Sequence, residues 1–388
     1  MKKLRVLFIP TASSGIMFWR FQNFVEAAWR NGLASFQNPL WIKNLNNIQP
    51  WQEKLTDGEK YDPLFVRSFV PYIESGCVGA DVVVFQYAHT DGALELFEAI
   101  RIKFPHLPVL TEIDDNVLSV PTWNESFNTY DPRSEVRRRA LAQIKESDGL
   151  IVSTPQLKEV YLDYNRNISV VENCIDFKMW DRLKKKSKPG IRIGWAGGSS
   201  HGGDFDAISQ ALSNVLTNHK DATLVLINGP AKQGIPNFLE EFKNVEHHMR
   251  WETILHYPKM LAEMDFDIGI APLVDCAFNR GKSNLKWLEN SALGIPTVAM
   301  KVGHMAQTVR HGEDGFLAED SSEFEKYLEI LIKNRSLRRK IGSVANARVR
   351  RDFNVDNVVG SYVEILESAA SEKDRIVDCV SAVPEAHA

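Results

Sequence analysis

"IRIGWAGGSSHGGDF" occupies residues 191–205. Its first seven residues form a β-rich apolar run of strand length, glycine and serine follow, and a helix begins near Asp204. Such a run is typical of a strand buried on both faces of a parallel sheet. In open α/β sheets ligands lie beyond the carboxyl ends of the strands, where this glycine loop falls. Glycines there let backbone N–H groups approach a phosphate, and the helix N-terminus adds a favourable dipole. The spacing is not GxGxxG, so no dinucleotide fingerprint is present, and a plain tight turn is the alternative.

Outward from this stretch the pattern repeats. "RVLFIP" (5–10), "DVVVFQY" (81–87), "PVLTEI" (108–113), "GLIVST" (149–154) and "ISVVEN" (168–173) are similar runs, with helical periodicity over residues 18–30 and 91–103. A basic linker, "WDRLKKKSKPG" (180–190), precedes the second series, which continues after residue 197 with "ATLVLING" (222–229), "DIGIAPL" (267–273) and "PTVAM" (296–300). Strand–helix alternation predicts two doubly wound parallel-sheet domains, residues 1–185 and 186–388. A late helix with the apolar face Val359, Tyr362, Val363 and Leu366 is expected to pack back on the first domain.

Composition narrows the class. With 388 residues the chain suits two domains, and 44% hydrophobic with 25% charged residues is ordinary for a soluble protein. A net charge of −4 gives no global pull toward nucleic acid or anionic membrane. The four cysteines stand singly, which excludes a CxxC site and favours a reducing compartment. "MKKLRVLFIP" has too short an apolar run for a signal peptide, and no stretch reaches the roughly 20 residues that span a bilayer. A cytoplasmic protein is expected.

A second chemistry-bearing stretch is "FNRGKSNLKWLENSALGIPTVAM" (278–300). Lys282 and Ser283 stand at the start of a helix whose first turn has free N–H donors, an arrangement for an anion with Arg280 and Lys282 as cations. Glu289, one turn on, can accept two hydrogen bonds from vicinal hydroxyls, as on a ribose. The alternative makes it a surface ion pair with Lys286 or Arg280.

These residues resemble the GT-B glycosyltransferases, specifically the large family-4 type that uses nucleotide-sugar donors. "KSNLKWLENSALGIPTVA" followed by "HGEDGFLA" is similar to that family's donor-site signature. "TEIDDNVL", "VSTPQL", "VVENCIDFKMW", "IRIGWAGGSSHGGDF", "IAPL" and "FNRGKSNLKWLE" follow the order of a bacterial and phage subgroup associated with surface-glycan assembly. The resemblance covers roughly residues 80–355. It implies two Rossmann-like domains facing across a cleft and a metal-independent, retaining transfer from a UDP- or GDP-linked sugar to a glycan or lipid-linked acceptor. No cofactor or metal is implied.

Position by position, Glu289 matches the glutamate on the donor ribose, and Gly197 and Gly198 match the diphosphate-facing loop. Ser283 and Asn284 match residues whose backbone N–H groups meet the phosphates. Asp114 falls where many members place a histidine near the reacting sugar carbon, with Asp115 beside it, and Gly15 lies in the loop near donor and acceptor. Two departures stand out. "GGSSHGGDF" lacks the family's Arg and Lys, leaving His201 as its ionisable group, with Arg280 and Lys282 as replacements. Gly281 occupies the place of a glutamate eight residues before Glu289.

Several features admit more than one reading. Asp114–Asp115 can bind acceptor or sugar hydroxyls, hold a divalent cation, or cap structure. The histidines of "EHHMRW" (246–251) diverge on a strand and read as ordinary structure. The aromatics Phe18, Trp19, Phe21, Phe24 and Trp29 either pack a core or stack on a sugar or base. "RSEVRRRALAQIK" (133–145) is a basic helix, and it supports the rival of a phage enzyme acting on hydroxymethylated DNA bases. A catalytically silent nucleotide-sugar-binding protein is the other rival, on the strength of Gly281.

Overall fold

A computed structural model describes residues 3–10, 18–36, 76–88, 90–183, 188–198, 201–228, 237–249, 252–253 and 255–381, with 202 and 372–381 by backbone alone. The first half contains β1 (Leu4–Ile9), β2 (Ala34–Phe36), β3 (Val82–Gln86), β4 (Val109–Ile113), β5 (Gly149–Val152) and β6 (Ile168–Val170). They form one sheet in the order β2-β1-β3-β4-β5-β6. The second half contains β7 (Ile191–Gly197), β8 (Ala222–Asn228), β9 (Val245–Met249), β10 (Ile268–Ala271), β11 (Thr297–Met300) and β12 (Phe316–Ala318). Their order is β12-β11-β10-β7-β8-β9, and every ladder in both sheets is parallel.

The apolar runs are continuous because helices cover both faces. All five residues of β3 are buried, as are those of β4. In each sheet the strand order reverses once, between β1 and β3 and between β7 and β10. The loops leaving β7 and β10 therefore diverge, and a crevice opens at their carboxyl ends. Gly198 and residues 201–204 after β7, and the 272–284 segment after β10, stand at that end of the sheet.

Two shared hydrophobic cores tie the halves together. Phe18, Trp19, Ile175, Phe177 and Trp180 share a core with Trp287, Leu288 and Phe353 of the second half. The helix Val355–Ser381 returns to the first sheet, where Val355, Val359, Tyr362, Val363 and Leu366 pack with Phe21, Phe24, Val82 and Val84. Phe24 and Tyr362 meet with ring centroids 4.9 Å apart. Four aromatics of residues 18–24 are thus core, whereas Trp29 is 71% exposed.

Candidate functional site

Side chains from the two sheets meet across the crevice. Asn116 Nδ2 donates to Ala277 O at 3.1 Å, and Thr154 Oγ1 to Gly281 O at 3.0 Å. Lys282 Nζ reaches Asp115 Oδ1 at 2.6 Å and sits 4.5 Å above the Phe278 ring. Burial alone would lower the Lys282 pKa, but Asp115, with Asp114 and Asp204 behind it, holds it above the usual lysine value. The cation is fixed where the loop after β10 faces the carboxyl end of β4.

Asp114 has one buried oxygen, Oδ1, with no hydrogen-bond partner among the described residues. Burial, then the charges of Asp115 and Glu112, push its pKa well above the usual carboxylate range, against Arg20 and Lys282. It is biased toward the neutral acid, a form that can donate a hydrogen bond. Beneath it Glu112 is paired with Arg20, Nε to Oε1 at 2.5 Å, and both side chains are 1% exposed.

Glu289 lies in the second turn of the helix Leu285–Ala292. That helix seats itself through Trp287, whose indole donates to Asp314 O at 2.9 Å, and it ends before Gly294, left-handed at φ +69°. The carboxylate is only 3% exposed. Its Oε2 accepts from Lys286 Nζ at 3.1 Å and Tyr257 OH at 3.2 Å, and no described donor reaches Oε1. The ion pair with Lys286 exists, but in the interior and with a tyrosine added.

Other expected residues separate. Arg280 does not join Lys282: its side chain is 60% exposed and forms a bidentate pair with Asp275 at 2.6 and 3.0 Å. The helix Ala277–Arg280 ends there and the chain turns at Gly281, so neighbours in sequence diverge in space. His201 donates or accepts at Nδ1 with Asp204 Oδ2, 2.7 Å away, and its ring meets Trp195 edge-on. Asp204 is buried and through Oδ1 also takes Val274 N and Asn279 Nδ2, joining the loops after β7 and β10. A Cβ on Gly197 would lie 2.5 Å from the Trp195 ring, whereas one on Gly198 would meet nothing among the described residues. Asn284 is fully buried, with both amide atoms unpartnered among the described residues, and Ser283 Oγ accepts from Asn173 Nδ2 at 2.9 Å. Gly15 lies outside the described residues.

The glycine at 281 has a packing cause. A Cβ there would lie 2.9 Å from Leu157 and 3.4 Å from Asn116, both in the first half. Gly281→Glu, which supplies the carboxylate the resemblance expects, should therefore cost about 1–3 kcal/mol of stability through overpacking. Urea unfolding checks this, and wild-type stability would show that the interface yields there.

The basic helix and the neighbouring histidines have partners within the protein. Arg137 donates to Leu118 O, Arg138 pairs with Glu135 and Arg139 with Asp91, so the basic helix spends these charges internally. His248 lies 3.2 Å from Glu246. Among the described residues no cluster of three His, Cys, Asp or Glu is suited to a metal, and no helix is long and apolar enough to cross a membrane. Sequence reasoning did not find Arg20, Asn173, Asp204 or Tyr257. A signal existed for Arg20 alone, as a charge inside an aromatic run must find a partner when buried.

Comparison with known proteins bears on the fold and on the second half of the chain. Residues 191–334 match the family described as Glycosyl transferases group 1. A 163-residue stretch is 26% identical to N-acetyl-alpha-D-glucosaminyl L-malate synthase of Bacillus anthracis, covering 41% of this chain and 40% of that enzyme. A 75-residue stretch is 31% identical to trehalose synthase of Pyrococcus horikoshii, covering 19% of this chain and 18% of the relative. The matches thus span less than half of either relative. Anabaena HepE, solved with UDP-glucose, superposes with a TM-score of 0.64 at 15% identity over 94% of this chain and 100% of its own. Sucrose-phosphate synthase from Thermosynechococcus elongatus gives 0.65 at 16% identity over 95% and 100%. The architecture is the GT-B fold, and residues 191–334 match the glycosyl transferases group 1 family.

Proposed function

We propose that this chain, which matches the glycosyl transferases group 1 family over residues 191–334, moves a sugar from a nucleotide-diphosphate donor to a hydroxyl of a glycan or lipid-linked saccharide. The observation that carries the reading is Glu289, a buried carboxylate with one oxygen open, on the helix that follows the crevice loop of β10. A UDP-linked donor fits the UDP-glucose held by HepE, and a GDP-linked one is the second choice. Breaking the sugar–diphosphate bond builds negative charge on the leaving phosphate, and preorganised donors and cations there lower the barrier. Lys282, His201 and the backbone N–H groups of Ser283 and Asn284 supply them. Among the described residues nothing packs against a Cβ at Gly198, and a bare backbone there leaves room for the donor diphosphate to approach. Asp114 and Asp115 face the sugar and the incoming hydroxyl.

The reading extends to metal-independent transfer with retention at the anomeric carbon, in the cytoplasm, in surface-glycan assembly. The family resemblance supports retention and setting, and the cationic groups above supply what a metal otherwise would. Donor hydrolysis and transfer, assayed with UDP- and GDP-sugars, test it. Turnover should survive EDTA, and the productive donor should raise the Tm, since it binds only the folded state. Asp114→Asn should lower kcat at least tenfold with little change in donor affinity. Absence of turnover or stabilisation by any such donor would overturn the reading, and equal losses in kcat/KM and affinity would make Asp114 structural.

A further inference from the structure

Asn173 lies between the halves, in the segment after β6. Its Oδ1 accepts from Arg20 Nη1 at 3.0 Å and its Nδ2 donates to Ser283 Oγ at 2.9 Å. The amide has no choice of orientation. A guanidinium carries five N–H donors and no acceptor, so the atom facing Arg20 must be the amide oxygen. The NH2 group is thereby turned to Ser283. Arg20 cannot swing away, because Nε holds Glu112 at 2.5 Å and Nη1 also donates to Val171 O at 2.6 Å. Donation therefore runs one way, from Arg20 through Asn173 to Ser283.

A serine hydroxyl has one hydrogen and two lone pairs. Ser283 gives a lone pair to Asn173, so its hydrogen must be donated elsewhere, and no described residue accepts it. The residue is half-buried, between Lys282 and the helix Leu285–Ala292. An anion offers acceptors only. A hydroxyl presenting its hydrogen binds one, and a hydroxyl presenting a lone pair repels it.

We propose that Asn173 is a positioning residue that sets the Ser283 hydroxyl as a hydrogen-bond donor to the diphosphate of the nucleotide sugar. This rests on the function proposed above. Because Asn173 belongs to the first half and Ser283 to the second, the buried Arg20–Glu112 pair then organises a donor group on the opposite domain.

The test is a double-mutant cycle on UDP-sugar affinity, measured by calorimetry with the full chain. Ser283→Ala should weaken binding about tenfold. Asn173→Asp keeps the shape but only accepts, so Ser283 must turn its hydrogen to residue 173, and affinity should again fall at least tenfold. The added charge also repels the donor through space, and the Ser283→Ala background removes that ambiguity: repulsion persists there, reorientation does not. In that background Asn173→Asp should cost only the repulsion, several-fold less than its effect in the wild-type chain. If Asn173→Asp does not fold, Asn173→Ala takes its place in the cycle, with the same non-additivity expected. Wild-type affinity in Ser283→Ala, or full additivity in the cycle, overturns the relay while leaving the donor reading intact. A wild-type chain that binds no UDP- or GDP-sugar removes both.

Discussion

Arg20→Met is expected to lose about 3–5 kcal/mol of stability at neutral pH, because it leaves a buried carboxylate without its cation. Glu112 is 1% exposed, Arg20 is its only described side-chain partner, and its Oε2 has none. Burial already raises the Glu112 pKa, with Arg20 acting against it. Without Arg20 the rise must grow. A carboxyl whose folded pKa lies above its unfolded value favours folding below the unfolded value, near 4.5, and loses that support as pH rises through the folded value. The deficit should therefore shrink on acidification from pH 7 to pH 5, as acid favours the protonated form of the orphaned Glu112. Arg20→Met with Glu112→Leu should recover most of the loss, since a packed apolar pair often matches a buried ion pair. Urea unfolding at both pH values decides it. A deficit under about 1 kcal/mol, or one that ignores pH, would show that water or rearrangement supplies the missing partner.

Glu289→Gln should weaken nucleotide-sugar binding roughly ten- to 150-fold, on the order of 1.5–3 kcal/mol for hydrogen bonds to a charged group. Glutamine keeps the volume and can still accept from Tyr257 OH, so the ligand-free fold should hardly change. Lys286 loses its counter-charge but is only half-buried and can turn to water. The discriminating pair of measurements is the donor Kd and the ligand-free Tm. An unchanged Kd removes Glu289 from the site, and a Tm fall that matches the affinity loss makes it a structural ion pair.

The strands were readable where both faces are covered. "IRIGWAG" is β7 from end to end, since a strand between two helical layers is apolar throughout. β2 and β12 were not, because neither three-residue segment stands inside a longer apolar run. Glu289 was legible from its place on an amphipathic helix. The opposite fates of Arg280 and Lys282 were not, since a single turn at Gly281 decides them. Arg20 and Asn173 lie 153 positions apart, and no local pattern announces a hydrogen bond over that distance.

The returning helix Val355–Ser381 also bears on how the molecule is made. Its Val359, Tyr362 and Leu366 fill the core of the sheet that contains β1. During synthesis the amino-terminal half emerges first, yet it lacks part of its own interior until this helix has been translated. It must wait with Phe21 and Phe24 uncovered while the second half folds, which lengthens its exposure to aggregation and makes closure of the first core a late, long-range event.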